Sequence, residues 1–294
     1  MRLLKDALAR RAMGFVTALP GLLVLLIVVG LFSKSKAILE VEPLSRLLFS
    51  SAWHPLKGEF GLLPFISGTV WVTMTALVLA VPVSILAAIY LSEYARRWVR
   101  ESAKPVIDLL AGLPSVVYGV WGVILVVPFV GGVLAPLAGV SSSGYSILAG
   151  GIVLAIMTFP TVIHVTLEVF SAVPQSLRDA SLSLGATKWE TIQHVVLRKG
   201  AQGILAASVL GFSRAIGETM AVLMVVGNVR AVPRSLFDPG YPLPALIANN
   251  YGEMMSVPRY DAALMTAALV LMLIVLFFNV LARLILIRVE RRFR

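Results

Sequence analysis

Six long apolar stretches dominate this sequence, at roughly 13–33, 64–92, 106–132, 146–168, 201–227 and 261–286. A helix needs about 20 mostly apolar residues to cross the hydrocarbon core of a bilayer, and its backbone polar groups must be satisfied within the segment. We therefore expect an all-α polytopic membrane protein with six transmembrane helices, forming a single domain over residues 1–294. The composition, 59% hydrophobic and only 14% charged, excludes an ordinary soluble domain.

Five prolines fall inside these stretches: Pro20, Pro82, Pro114, Pro128 and Pro160. Proline lacks the backbone N–H and clashes with the preceding turn of a helix. Each of them therefore predicts a local kink or break in its span.

The basic residues predict the orientation of the spans. About two thirds of the 25 Lys and Arg lie in the N-terminal segment, in the loops after the second and fourth spans, and in the C-terminal tail. Because cytoplasmic loops carry the excess of Lys and Arg, both termini are expected to be cytoplasmic. The first apolar run is longer than a signal-peptide core and has no clear small-x-small cleavage site after it, which predicts an uncleaved anchor. The net charge of +10 thus reflects topology, and no nucleic-acid partner is expected.

The loop at 171–200 carries a specific pattern of helix signals. Ser176 and Asp179 predict the cap of a first short helix, and Gly185 can end it in the left-handed conformation. The run 187–190, Thr-Lys-Trp-Glu, fits the capping box of a second helix. Two short helices hinged at Gly185 are predicted; a plain amphipathic connector on the membrane surface is the alternative.

This loop resembles the EAA loop of ABC importer permeases. That pattern is Glu-Ala-Ala, three residues, Gly, nine residues and Ile-x-Leu-Pro, and it is matched by Asp179-Ala180-Ser181, Gly185 and Val195-x-Leu197. Asp179 replaces Glu, Ser181 replaces the second Ala, and Arg198 stands where Pro is usual. The resemblance implies a coupling loop that docks on a cytoplasmic ATPase subunit. Its expected contact residues are Asp179, Ala180, Ser181, Gly185, Ala186 and Trp189.

A charged residue lies in the middle of the fifth span. Arg214 is about 22 Å along a helix from the nearest basic residue on either side, too far for its side chain to reach an interface comfortably. An unpaired Arg there costs about 2.5–3.5 kcal/mol on insertion scales. Glu218 follows at i+4, so we expect the two side chains on one helical face, partly neutralising each other. The pair predicts a substrate pathway, with Ser213 and Thr219 as further hydrogen-bond donors; a buried ion pair that only fixes helix packing is the alternative.

Small residues recur every four positions beside this pair. Gly203, Ala207, Gly211 and Ala215 form a stripe that allows another helix to approach closely. The stripe predicts that the charged residues sit at an interior seam and not in lipid.

The sequence around Arg214 also resembles the phosphate ABC transporter permeases of the PstC type. The matching sequence segments are Arg-Ala-Ile-Gly-Glu-Thr-Met-Ala-Val at 214–222, Leu-Ser-Glu-Tyr-Ala at 91–95, Leu-Pro-Ser-Val-Val-Tyr-Gly at 113–119 and Gly-Ala-Thr-Lys-Trp-Glu-Thr at 185–191. The resemblance covers about 64–286, the permease core. It implies a MetI-like type I importer fold in the inner membrane of a prokaryote.

The resemblance also implies partners and a substrate. They are a PstA-type second permease, two PstB-type ATPase subunits and a PstS-type extracytoplasmic binding protein, which would deliver inorganic phosphate. The loops near 34–63 and 228–260 would dock that binding protein, or are simple solvated connectors. ATP and Mg would be held by the partner subunits, and this chain would bind no cofactor.

No catalytic or metal-binding pattern is apparent. With three histidines and no cysteine the sequence shows no metal-ligand cluster, and it has neither a Gly-rich phosphate loop nor a Gly-x-Ser-x-Gly elbow. His164 and Glu168 fit an interfacial pair. Two alternatives remain: a permease for another oxyanion such as molybdate or sulfate, and, more remotely, a polytopic membrane enzyme using Glu218 and His164 as acid and base.

Overall fold

A computed structural model describes residues 2–253 and 256–293 of the chain. By their contacts these residues divide into two compact units, Met1–Leu62 with Asn250–Met272, and Leu63–Asn249 with Leu273–Arg294. Arg294, which contributes to the basic tail, lies outside the described residues.

The first unit combines a long helix with a small aromatic cluster. Its elements are α1 (Arg2–Leu39), α2 (Leu44–Phe49) and a short antiparallel pair, β1 (Trp53–His54) with β2 (Glu59–Phe60). The rings of Trp53 and Phe60 pack edge to face with centroids 5.6 Å apart, and the ring of Tyr260 lies 6.2 Å from Trp53. The segment after the first span is therefore a folded structure and not a loose connector.

The second unit contains most of the remaining helices. In chain order these are α3 (Leu63–Ile89), α4 (Arg97–Gly112), α5 (Ser115–Trp121), α6 (Val127–Phe129), α7 (Ala135–Leu137), α8 (Ile147–Ser171), α9 (Gln175–Ser183), α10 (Lys188–Thr191), α11 (Leu197–Ile216), α12 (Met220–Val225) and α13 (Leu243–Asn250). The last helix, α14 (Tyr260–Phe293), belongs to the first unit up to Met272 and to the second unit from Leu273. π-helical turns occupy Tyr90–Tyr94, Gly122–Val126, Val130–Leu134 and Ile192–Val196.

The prediction of six spans is confirmed within the described residues. The helices long and apolar enough to cross a membrane run over Ala9–Leu39, Leu63–Tyr94, Ser115–Leu137, Ile147–Ser171, Lys188–Ile216 and Tyr260–Ile285. The third span was predicted to start at 106, which is wrong. The chain leaves the helical conformation at Leu113 and Pro114, and α4 before this break is a separate amphipathic helix with no buried residue.

The prolines have different effects. Pro114 stands at the break before α5, and Pro128 follows the π-helical turn Gly122–Val126. By contrast, α1, α3 and α8 continue without a break through Pro20, Pro82 and Pro160.

The core of the second unit lies between α3 and α8. Glycines allow this close approach: a Cβ at Gly151 would lie 2.7 Å from the Cβ of Thr75. Val72, Leu154 and Val222 are buried together there, so the start of α12 joins the same core. The fifth span is thereby held against the second and fourth at the position where it breaks.

Candidate functional site

The stretch 201–227, predicted as one continuous fifth span, is interrupted: the long helix that forms the span starts earlier, at Lys188, and ends at Ile216. Helix α11 ends at Ile216, residues 217–219 are not helical, and α12 begins at Met220. The backbone N–H of Ala221 donates to Oε1 of Glu218 at 3.3 Å, and the hydroxyl of Thr219 donates to the carbonyl of Gly217 at 3.3 Å. Non-helical backbone at membrane depth is tolerated where it is buried in protein or lines a water-filled cavity. This break is therefore a candidate lining of a pathway.

Arg214 and Glu218 do not form the expected i,i+4 pair. Because α11 ends two residues after Arg214, Glu218 is no longer on the same helical face. A guanidinium N–H of Arg214 instead donates to the hydroxyl of Thr161 on α8 at 2.9 Å. Within residues 2–253 and 256–293, neither charge takes part in an ion pair. The cation thus keeps unused donors beside the break.

Ser213 faces a different neighbour. Its hydroxyl donates to Oδ1 of Asn279 on α14 at 2.8 Å, and the amide of Asn279 donates to the carbonyl of Val275 at 2.8 Å. Adjacent residues on α11 thus contact different spans, Ser213 the sixth and Arg214 the fourth.

The small-residue stripe of α11 packs on α8. A Cβ at Gly203 would collide with the side chain of Val169, and a Cβ at Gly211 would lie 2.7 Å from Cγ2 of Val162. Ala207 and Ala215 are buried. Arg214 therefore lies beside a tight helix seam.

A small cavity adjoins the break at 217–219. It is lined by Glu218 and, among others, by Thr69 and Thr73 of α3. The hydroxyl of Thr69 is already engaged, since it donates to the carbonyl of Phe65 and accepts from the N–H of Leu243. The second span thus reaches the break directly.

The loop at 171–200 contains two helices on either side of Gly185, as predicted, but only α9 is short: α10 continues through the π-helical turn into α11, as one helix over Lys188–Ile216. Gly185 between them has φ +87°, in the left-handed region. Thr187 and Glu190 form both hydrogen bonds of the capping box. The expected cap at Ser176 is wrong: Pro174 occupies the cap position without a side-chain bond, and Ser176 lies inside the first turn.

The predicted docking residues occupy two kinds of position in this loop. Asp179, Ala180, Gly185 and Trp189 are exposed, whereas Ser181 and Ala186 are half-buried. The hydroxyls of Ser181 and Thr191 lie 3.0 Å apart and link α9 to α10. The exposed apolar side chains Leu184 and Trp189 give this end of the molecule a surface suited to a protein partner.

Sequence reasoning missed one ion pair entirely. Nη2 of Arg178 lies 3.0 Å from Oε1 of Glu93, and the two side chains are only 11% and 10% exposed. The two residues are 85 positions apart, so no local spacing indicates the contact. The available signal was a glutamate at the very end of an apolar span.

Two other predicted features have modest roles. His164 and Glu168 form an exposed pair at 3.7 Å, consistent with an interfacial position. Of the aromatic residues in the predicted outer loops 34–63 and 228–260, Trp53 and Tyr241 are buried, while Tyr251 is exposed.

Comparison with known proteins decides the family. Residues 80–294 match the model of the "Binding-protein-dependent transport system inner membrane component" family. The chain belongs to this family. As a member, it is a multi-pass membrane protein and a subunit of a transporter.

Individual relatives agree over most of the chain. The "Phosphate transport system permease protein PstC" of Xylella fastidiosa is 37% identical over 83% of this chain and 79% of the relative. The "Probable ABC transporter permease protein YqgH" of Bacillus subtilis is 38% identical over 83% of this chain and 77% of its own. PstC of Haemophilus influenzae is 32% identical over 94% and 92%.

Solved structures confirm the importer-permease fold. A bacterial ABC transporter involved in the import of alginate aligns with TM-score 0.60 and 17% identity, over 96% of this chain and 99% of that one. The MetNI methionine ABC transporter aligns with TM-score 0.56 and 18% identity, over 78% and 94%. The predicted MetI-like fold is therefore confirmed.

Proposed function

We propose that this chain is the PstC-type permease subunit of an ATP-driven importer of inorganic phosphate. The observation that carries the proposal is the similarity to PstC relatives, 37% identical over 83% of the chain. As a permease of a binding-protein-dependent system, the chain works with a substrate-binding protein and an ATPase. We further propose that these are of the PstS and PstB types, with a PstA-type second permease completing the pathway.

The geometry at the break in the fifth span supports an anion as the transported species. A guanidinium is planar and offers paired donors that match the oxygens of phosphate. Arg214 uses one donor on Thr161 and has no carboxylate partner among the described residues. It is therefore available to a passing anion. Ser213 is set apart from this role, because its hydroxyl is committed to Asn279.

Glu218 and Thr219 have distinct proposed roles in the pathway. The carboxylate of Glu218 caps α12, which keeps the break in place. Its negative charge also weakens the hold of Arg214 on phosphate, so that the anion is released and not trapped. Thr219 is half-buried at the break, and its hydroxyl supplies a further donor once it leaves the carbonyl of Gly217.

The proposed mechanism links the 171–200 loop, which leads into the fifth span, to the break that follows this span. ATP binding and hydrolysis on the partner subunits move the 171–200 loop, and the spans around the break alternate their access between the two sides. In this proposal both termini and the loop face the cytoplasm, ATP and Mg stay on the partners, and this chain carries out no covalent chemistry.

Reconstitution tests the substrate directly. The complete complex in proteoliposomes, supplied with binding protein and internal ATP, should accumulate radiolabelled phosphate. A tenfold excess of sulfate or molybdate should leave this uptake unchanged. Preferred uptake of sulfate or molybdate would agree with an importer function but would contradict phosphate as the substrate.

A further inference from the structure

The π-helical turn Tyr90–Tyr94 at the end of α3, here called the 90–94 turn, is contacted by three cationic side chains from three different segments. Arg100 of α4 donates to the carbonyls of Leu91, at 2.8 Å, and Ser92. The ammonium of Lys188 on α10 lies 4.7 Å from the ring centroid of Tyr94. The third contact is the ion pair between Arg178 of α9 and Glu93. The C-terminal end of a helix favours positive charge, which suits this arrangement.

Arg178 ties three segments together with one guanidinium. Besides the carboxylate of Glu93, it donates to the carbonyl of Phe170 at 2.8 Å and to that of Val173 at 2.5 Å. Those carbonyls belong to the end of α8 and the residues just after it. The planar donors of Arg thus join α9 to the ends of both the second and the fourth spans.

Burial distinguishes this pair from the other ion pairs of the described chain. Its side chains are 11% and 10% exposed, whereas Arg97 and Glu101, on the neighbouring helix α4, are 91% and 61% exposed. A desolvated ion pair contributes little net stability compared with apolar packing, although breaking one partner is costly. Its value lies in fixing one geometry between the segments it joins.

An apolar cluster also packs the end of α3 against residues on both sides of the 171–200 loop and makes this connection rigid. Ala88 and Ile89 of α3 are buried against Phe170 of α8 and against Ile192 and Val196, which follow α10. Both halves of the 171–200 loop therefore attach to the same end of α3. Helix α3 continues for 27 residues, and its Thr69 and Thr73 line the cavity beside Glu218.

We propose that Glu93 and Arg178 are positioning residues that couple the 171–200 loop to the second span, so that a displacement of the loop moves α3 at the break in the fifth span. This inference rests on the proposed transport function. Neither residue touches the anion in this account; both act through the rigid connection between α9 and α3.

The first test compares transport with ATP use in the reconstituted complex. Glu93→Gln should lower phosphate imported per ATP hydrolysed roughly tenfold, within the 5–150-fold range typical of allosteric coupling. Hydrolysis itself should continue. Glu93→Asp keeps the charge and should restore most of the ratio. Arg97→Gln is the matched control, because it removes an exposed ion pair nearby, and it should behave as wild type.

A merely structural role gives a different result. In that case Glu93→Gln would lower the thermal stability of the complex but leave the phosphate-to-ATP ratio at the wild-type value below the unfolding temperature, which overturns the proposal. If the complex with Glu93→Gln fails to assemble, Arg178→Lys replaces it in this test, because lysine keeps the positive charge but lacks the planar donors of arginine. A wild-type ratio in that variant also overturns it.

A distance measurement separates this inference from the identity of the substrate. The chain contains no cysteine, so spin labels can be placed at Val78→Cys on α3 and Ser176→Cys on α9. The label-to-label distance should stay the same in the nucleotide-free and ATP-trapped wild-type complex, and should change between those states in Glu93→Gln. If the distance in Glu93→Gln does not change between the two states, the proposed coupling of the loop to α3 through Glu93 is wrong, whichever solute is carried. Failure of wild type to import phosphate would instead contradict the proposed substrate alone.

Discussion

The guanidinium of Arg214 donates to the hydroxyl of Thr161 at 2.9 Å, joining the fifth span to the fourth just before the fifth span breaks. This contact replaces the pairing with Glu218 that the i,i+4 spacing predicted. It holds the cation in place without neutralising it. The pathway proposed here therefore has a positive charge that remains available to an anion.

Thr161→Val should weaken transport through the loss of this contact. A hydrogen bond to a charged group contributes about 1.5–3 kcal/mol, so we expect uptake at low phosphate to fall by roughly 10- to 100-fold. Initial rates of phosphate uptake in proteoliposomes measure this. Thr158→Val is the control, because its hydroxyl bonds only within α8, to the carbonyl of Leu154. Equal losses in both variants would contradict a specific role for Thr161.

Glu218→Gln should change the kinetics in a particular direction. Removing the negative charge at the break makes this part of the proposed pathway more attractive to anions, so both the apparent KM and the maximal rate of uptake should decrease. The concentration dependence of phosphate uptake gives both values. A raised KM with an unchanged maximal rate would mean that Glu218 does not weaken anion binding.

Gly185→Ala tests the hinge of the loop through backbone strain alone. A Cβ at Gly185 meets no atom within 4 Å, but φ is +87°, where an L-residue is disfavoured by roughly 1–2 kcal/mol. We expect less phosphate imported per ATP hydrolysed, and Gly185→Pro should abolish uptake while hydrolysis continues.

Gly139→Ala is the matched control for the hinge. Gly139 has φ +69° and open space around its Cβ position, but it lies in the loop between the third and fourth spans. The same strain there should leave the phosphate-to-ATP ratio unchanged. A similar loss in both alanine variants would attribute the effect to general destabilisation.

Gly211→Ala should destabilise the packing of α11 on α8. The added methyl would lie 2.7 Å from Cγ2 of Val162, and overpacking typically costs about 1–3 kcal/mol. The thermal unfolding temperature of the purified complex should fall. Gly217→Ala, with open space at its Cβ position, should leave that temperature nearly unchanged. A wild-type unfolding temperature for Gly211→Ala would show that α11 and α8 can adjust to the added methyl group without loss of stability.

The sequence predicts the spans well because hydropathy over about 20 residues reflects a strong physical constraint. It predicts the left-handed Gly185 and the capping box for a similar reason, since both depend on neighbouring residues. It does not predict the break at 217–219, because apolar residues continue on both sides of Gly217-Glu218-Thr219 and the i,i+4 spacing of Arg214 and Glu218 favours one continuous helix. The burial of Val222 with Val72 and Leu154, which follows the break, depends on tertiary packing that local sequence does not encode.

The remaining errors also arise from tertiary structure. Hydropathy alone predicts a start of the third span at 106, because it includes the apolar face of α4, whereas the 3.6-residue alternation of apolar and charged positions in α4 favours an interfacial helix. The contact of Glu93 with Arg178 joins residues 85 positions apart, and only the fold brings them together.

Binding-protein-dependent phosphate uptake by the Arg214→Ala complex tests the central claim most directly. Wild type, Arg214→Ala and the control Arg97→Ala, an exposed arginine on α4 outside the spans, are compared in proteoliposomes with internal ATP. Uptake should be abolished in Arg214→Ala, with the complex intact and still hydrolysing ATP, and retained in Arg97→Ala. Transport of phosphate at the wild-type rate by Arg214→Ala would show that the arginine beside the break is not part of the pathway.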